Sequence, residues 1–91
     1  MKADRDKTLR LLKTARGQLD GIVGMIEDDR YCVDISNQLL ATIAILRKAN
    51  AGILRAHLGH CVTESLRTGT ETDRQKKIDE LMGILEKTTG A

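Results

Sequence analysis

The sequence predicts an all-α protein, a three-helix protomer with a long central helix, carried on a single domain spanning residues 1–91. Three observations predict it. The chain contains no Pro, Trp or Phe and one Tyr, which leaves Leu, Ile, Val, Ala and Met to build a core. Apolar residues recur at intervals of three and four, the period of a helix face, along most of its length. Turn chemistry is concentrated at Asp28-Asp29-Arg30 and Thr68-Gly69-Thr70, which cut the chain into three helical segments.

The first helix is expected from about Asp4 or Asp6 to Asp28. Leu9, Leu12, Leu19, Ile22, Val23 and Ile26 form its apolar stripe, widened by Leu11 and Met25, while Arg10, Lys13 and Arg16 step along another face. Gly17, Gly21 and Gly24 interrupt it. A glycine in a helix interior costs about 1 kcal/mol relative to alanine, so three of them predict the close approach of another helix. Asp28 or Asp29 is expected to cap the start of the second helix.

From Tyr31 onward Ile35, Leu39, Ile43, Leu46, Ile53, Leu54, Leu58, Val62 and Leu66 sustain a long stripe. Leu40, Ala44 and Ile45 make its middle apolar almost all round, the pattern of a helix buried from more than one direction. A chain this short buries only about 60–65 per cent of its unfolded surface, so self-association through this helix is expected. Gly59 marks a candidate kink. The third helix is expected from about Thr72 to Lys87, with Ile78, Leu81, Met82 and Leu85 on one side and Thr88 to Ala91 as a frayed tail.

The formal charge of +2 is mild, but its distribution is uneven. Residues 1–16 carry Lys2, Arg5, Lys7, Arg10, Lys13 and Arg16 against Asp4 and Asp6; residues 17–46 are acidic; Arg47, Lys48 and Arg55 restore a basic stretch. Such asymmetry suits a surface that faces a polyanion, although a solvated helix face gives the same pattern. The charged N-terminus lacks the apolar region of a signal peptide, and no apolar run approaches the roughly 20 residues of a membrane helix, so a cytoplasmic protein is expected. In a reducing compartment two cysteines point to metal ligation or redox chemistry rather than a structural disulfide.

Those cysteines, Cys32 and Cys61, bracket the long segment, and His57 lies one helical turn before Cys61. At roughly 1.5 Å per residue, Cys32 and His57 would stand on the order of 38 Å apart in one helix, so a site containing both must form between chains. In an antiparallel pair of long helices crossing near residue 45, where the apolar stripe is broadest, residue 32 of one chain falls opposite residue 59 of the other. The apolar centre and the ligand spacing thus ask for the same symmetric dimer. Two thiolates and an imidazole suit Cu(I) in a trigonal site, whereas His60 as a fourth ligand would suit Zn(II).

Across nearly its whole length the chain resembles the CsoR/RcnR family of bacterial metal-sensing transcriptional repressors. The likeness rests on Arg16-Gly17-Gln18-Leu19-Asp20-Gly21-Ile22, on Met25 through Ile35, on His57-Leu58-Gly59-His60-Cys61-Val62, and on the 32, 57, 61 spacing. The resemblance implies a disc-shaped dimer of dimers, a homotetramer that binds operator DNA without a helix-turn-helix motif and releases it when inducer binds. Cys32, His57 and Cys61 match the copper-sensing branch, which implies Cu(I) as cofactor. The N-terminal His of nickel and cobalt sensors and the N-terminal Pro of formaldehyde sensors are absent from this sequence, and persulfide sensors lack the imidazole that His57 supplies.

The same resemblance nominates Tyr31 and Glu80 as partners of His57, engaged when the metal turns its ring, and Arg16 and Lys48 as DNA contacts, with Arg10, Lys13 and Arg47 beside them. Leu11 stands where a copper-sensing relative carries a basic residue, and Arg10 projects about 100° away from that position. Two rival readings remain, a thiol or persulfide sensor using Cys32 and Cys61, and a purely structural helical adaptor. No nucleophile and base pair stands out, so an enzyme is not expected.

Overall fold

The computed structural model describes residues 3–89, with side chains throughout that span except at 65, 66, 68, 88 and 89. Three helices follow one another: α1 (Arg5–Glu27), α2 (Cys32–Thr68) and α3 (Glu71–Thr89). Among the described residues, no helix is long and apolar enough to cross a membrane. The chain divides into two compact units, Met1–Leu54 and Arg55–Ala91.

Local chemistry fixes the helix ends. Asp4 caps α1, its carboxylate accepting the Lys7 N–H at 3.1 Å. At the other end the Asp29 N–H bonds to Ile26 O at 3.1 Å and the Arg30 N–H to Met25 O at 2.9 Å, the paired bonds of a Schellman motif. Asp29 occupies its left-handed position with φ 49°. This corrects the expected capping of α2, because both aspartates are spent on closing α1. The residue before α2 is Tyr31, whose carbonyl accepts the Ile35 N–H at 3.2 Å. α3 starts one residue before its expected boundary, on a capping box in which the Thr70 N–H bonds to Asp73 Oδ2 at 3.1 Å and the Asp73 N–H to Thr70 Oγ1 at 3.2 Å. These bonds hold Asp73 below its ordinary carboxylate value, the backbone bond from Thr70 contributing most. α3 also takes in residues 88 and 89, the first half of the expected frayed tail; the second half, like Met1 and Lys2 and the Leu66 side chain, lies outside what is described.

In the first unit α1 packs on the N-terminal part of α2 along a narrow seam. From α1 it takes buried Thr8, Ala15 and Ile22 with partly buried Leu11, Gln18 and Met25; from α2, buried Thr42 and Ala49 with partly buried Ile35 and Ile45. Positions 8, 11, 15, 18, 22 and 25 are spaced alternately by three and four, a coiled-coil register. A polar bond crosses the seam: the Thr42 hydroxyl lies 2.7 Å from Gln18 Oε1 and 3.1 Å from its own-turn Gln38 carbonyl.

The larger apolar residues face the other way. Leu9, Leu12, Leu19, Val23 and Ile26 on α1, and Val33, Leu39, Leu40, Ile43 and Leu46 on α2, are exposed within the chain. The expected α1 stripe is therefore mostly not the intrachain core. Small Thr8, Ala15, Thr42 and Ala49 let the two backbones approach closely, and the bulky residues line a second face. The glycine expectation is likewise corrected within the protomer, since a Cβ at Gly17, Gly21 or Gly24 would meet nothing within 4 Å. α2 runs unbroken through Gly59, the position expected as a candidate kink.

In the second unit the C-terminal part of α2 packs on α3. Cys61 is buried there, while Val62, Ile78, Met82 and Leu85 keep about half their surface exposed.

Candidate functional site

Cys61 and His57, one turn apart on α2, are joined by Glu80 from α3. His57 Nε2 lies 2.7 Å from Glu80 Oε1, and the Cys61 sulfur lies 3.4 Å from Nε2 and 3.9 Å from Nδ1. A carboxylate only accepts, so the Nε2 nitrogen carries the proton in this contact, and in the neutral ring the lone pair then lies on Nδ1. The second Glu80 oxygen is 3.5 Å from Lys77 Nζ, one turn earlier on α3. Glu80 is held below its ordinary carboxylate value, first by the hydrogen bond from His57 and then by the charge of Lys77. Lys77 is pushed above its ordinary value, first by its electrostatic interaction with Cys61 and then by the charge of Glu80. Imidazole, thiol, carboxylate and ammonium thus form one chain of contacts.

Of the residues nominated from sequence, the structure brings together His57, Cys61 and Glu80. The structure thus places Glu80, one of the two expected partners of His57, within hydrogen-bond distance of its ring. Cys32, exposed at the first position of α2, and Tyr31, 68 % exposed, belong to the other compact unit. Among the described residues, no three His, Cys, Asp or Glu side chains of one chain converge where they could hold a metal ion, so the four-ligand set completed by His60 is not assembled within a protomer.

The five basic candidates, Arg10, Lys13 and Arg16 on α1 and Arg47 and Lys48 on α2, are all exposed and all lie in the first unit. They do not share one helix face. Arg16 falls in register with the exposed Leu12, Leu19 and Val23, and the successive Arg47 and Lys48 diverge by about 100°. Sequence reasoning missed Lys77 and the Gln18–Thr42 pair. Lys77 carried a signal in its i, i+3 spacing to Glu80. The seam register could have found Gln18.

Fold and donor set define an all-helical protein with a soft-ligand pair on its longest helix, braced by a carboxylate from the next. Residues 4–87 match the model of the metal-sensitive transcriptional repressor family, and the chain belongs to that family, whose members are repressors rather than enzymes. It is 36% identical over 86 residues to the copper-sensing transcriptional repressor CsoR of Bacillus subtilis, covering 94% of this chain and 82% of that protein. It is 44% identical over 78 residues to the CsoR of Mycobacterium ulcerans, covering 86% of this chain but 64% of that longer protein. The fold is similar to the crystal structure of the copper-sensing repressor CsoR with Cu(I) from Geobacillus thermodenitrificans, with a TM-score of 0.78, 34% identity, and coverage of 91% of this chain and 83% of that one.

Proposed function

We propose that this protein is a cytoplasmic Cu(I)-responsive repressor, binding operator DNA in the metal-free state and releasing it when Cu(I) occupies a site built from Cys32 of one protomer and His57 and Cys61 of another. The observation that carries the reading is the His57–Cys61–Glu80 arrangement. Glu80 accepts the hydrogen bond from Nε2–H, and Nδ1, 3.9 Å from the Cys61 sulfur, is the nitrogen whose lone pair a neutral ring offers to a metal. Metal–nitrogen and metal–sulfur bonds of about 2.0 and 2.3 Å can bridge up to about 4.3 Å, so the pair fits a shared ion. Bound there, a soft monovalent cation would supply no catalysis, only a bond network that needs a thiolate from a second chain.

Ligation through Nδ1 keeps the Glu80 contact, whereas ligation through Nε2 would break it. His57 can therefore report occupancy to α3 through Glu80, and to the partner protomer through Tyr31 beside Cys32. The need for a partner is supported by area. The chain exposes 7154 Å², against about 5300 Å² for a self-sufficient globular protein of its mass. The exposed Leu39, Ile43 and Leu46 provide a face for an antiparallel dimer and Leu9, Leu12 and Leu19 one for further assembly to a homotetramer. Arg16 and Lys48, with Arg10, Lys13 and Arg47, would meet DNA phosphates across that assembly.

The deciding experiment is a mobility shift with and without Cu(I), on an operator selected from random duplex DNA by the metal-free protein. Wild type is expected to release the DNA, and Cys32→Ala to stay bound at the same Cu(I) concentration. Glu80→Ala and Tyr31→Phe are expected to keep copper affinity while losing most of the release. Arg16→Ala and Lys48→Ala should each lower the slope of log affinity against log salt by about 0.9. DNA binding with no salt dependence would refute the repressor reading. Lys77 beside the Cys61 sulfur favours one rival, a sulfur-reactive sensor, and an intermolecular Cys32–Cys61 crosslink after persulfide treatment without Cu(I) uptake would select it.

A further inference from the structure

Lys77 touches both the candidate ligand pair and its brace. Its ammonium lies 3.5 Å from Glu80 Oε2, and Cys61 is the first of the groups acting on it. With Cys61 it also lines two cavities of the second unit, an apolar groove of about 220 Å³ and a polar cleft of about 410 Å³. We infer that Lys77 is a selectivity residue, which sets the site against divalent ions such as Zn(II) and in favour of a monovalent one by its charge beside Cys61 and by its hold on Glu80. The inference rests on the proposed Cys32, His57 and Cys61 site and names what tunes its choice of ion.

Charge is the first ground. A lysine ammonium ionises near pH 10 and is positive at neutral pH. Its attraction to a ligating sulfur is the same whichever ion is bound, but its repulsion of that ion scales with the ion's charge and is twice as large for a dication. Lys77 therefore subtracts more from Zn(II) affinity than from Cu(I) affinity. The polar cleft sharpens the contrast. Lys76 and Lys77 balance Glu64 and Asp73 along its walls, so loss of Lys77 leaves one positive group against two negative ones, a better setting for a dication. The Lys77 side chain is 39 % exposed, so solvent screens the effect, and a discrimination of about tenfold is expected rather than that of a buried charge.

Ligand number is the second ground. Zn(II) in a closed protein site takes four ligands, whereas thiolate-rich sites of three suit Cu(I). Glu80 and His60 are the side chains of this unit placed to supply a fourth. Glu80 is engaged at both oxygens, Oε1 with His57 at 2.7 Å and Oε2 with Lys77 at 3.5 Å. His60 precedes Cys61 and lines the polar cleft together with Lys76 and Lys77. An ion completed from that side would gain its fourth ligand among two ammonium groups. A three-coordinate monovalent ion needs neither.

Paired affinities test the assignment. Dissociation constants for Cu(I) and Zn(II) are measured anaerobically on the full chain by competition with a chromophoric chelator for each ion, and compared as the ratio of Zn(II) to Cu(I). Lys77→Leu, whose side chain ligates neither ion, is expected to lower the ratio about tenfold. Lys77→Arg keeps the charge and should stay within about twofold of wild type. Lys87→Leu removes the same charge from the last turn of α3 and should leave the ratio unmoved. Circular dichroism checks the helices, and Lys77→Gln replaces Lys77→Leu should that variant lose them. A charge-removing variant within twofold of wild type overturns the inference, as does an arginine that fails to preserve the ratio or an equal shift from Lys87→Leu. The metal reading is judged on its own: Cys61→Ala retaining wild-type Cu(I) affinity defeats the proposed site and the inference with it, whereas Cu(I) affinity that depends on Cys61 beside an unmoved ratio in Lys77→Leu defeats the inference alone.

Discussion

Replacing Thr42 with Val removes one hydroxyl from the α1–α2 seam and little else. Thr42 is 2% exposed and its hydroxyl lies 2.7 Å from Gln18 Oε1. A net intramolecular hydrogen bond contributes about 1 kcal/mol, and stranding a buried partner costs about 1–3 kcal/mol. Gln18 is only partly buried, so water can reach its amide, and the expected loss is in the lower range, about 1–2 kcal/mol. For a chain of this size that lowers the melting temperature by about 4–8 °C per kcal/mol. Urea titration at fixed protein concentration measures it, because the stability of a self-associating chain depends on concentration. Gln18→Leu alone should cost a similar amount, and the double variant less than the sum, with a coupling of about 1 kcal/mol. Copper affinity should be unchanged, since Thr42 and the His57–Cys61 pair belong to different compact units. A Thr42→Val variant as stable as wild type, or a coupling below about 0.3 kcal/mol, refutes the view that this bond fixes the seam.

Three further outcomes follow from single features. Asp29 holds φ 49° in the Schellman turn, so Asp29→Gly is expected to stabilise the protein by about 1 kcal/mol and Asp29→Ala to destabilise it, both read by urea unfolding. Thr70→Ala should cost about 1 kcal/mol by removing the α3 cap. Because Asp73 has a lowered pKa, its part of the cap is fully present above the ordinary carboxylate value and is lost as pH falls through the lowered one; Asp73→Asn should remove that acid dependence from α3 helicity, followed by NMR. Glu80 is lowered chiefly by the bond from His57, so His57→Ala should move its carboxyl titration upward toward the ordinary value. An unchanged Glu80 titration would show that the contact is not formed in solution.

The helices and most of their ends are local properties, and the sequence by itself determined them. Apolar spacing, the Asp4 cap, the Thr70 turn and the 57, 61 spacing each act within a few residues, so they can be read without knowing what packs on what. What it could not assign was which face goes inside. α1 carries two apolar faces, and the one with the larger residues, Leu9, Leu12, Leu19, Val23 and Ile26, was the stronger signal yet lies exposed. Packing chose the face where Thr8, Ala15, Thr42 and Ala49 permit close backbones and where Gln18 finds Thr42. The turn at Asp28 and Asp29 was similarly ambiguous, since aspartate serves either end of a helix, and only the bonds to Met25 and Ile26 decide that it closes α1. Glu80 and Lys77 stand more than fifteen residues from His57 and Cys61, beyond the reach of any local pattern. Only the folding of α3 onto α2 brings their charges to the imidazole and the thiol.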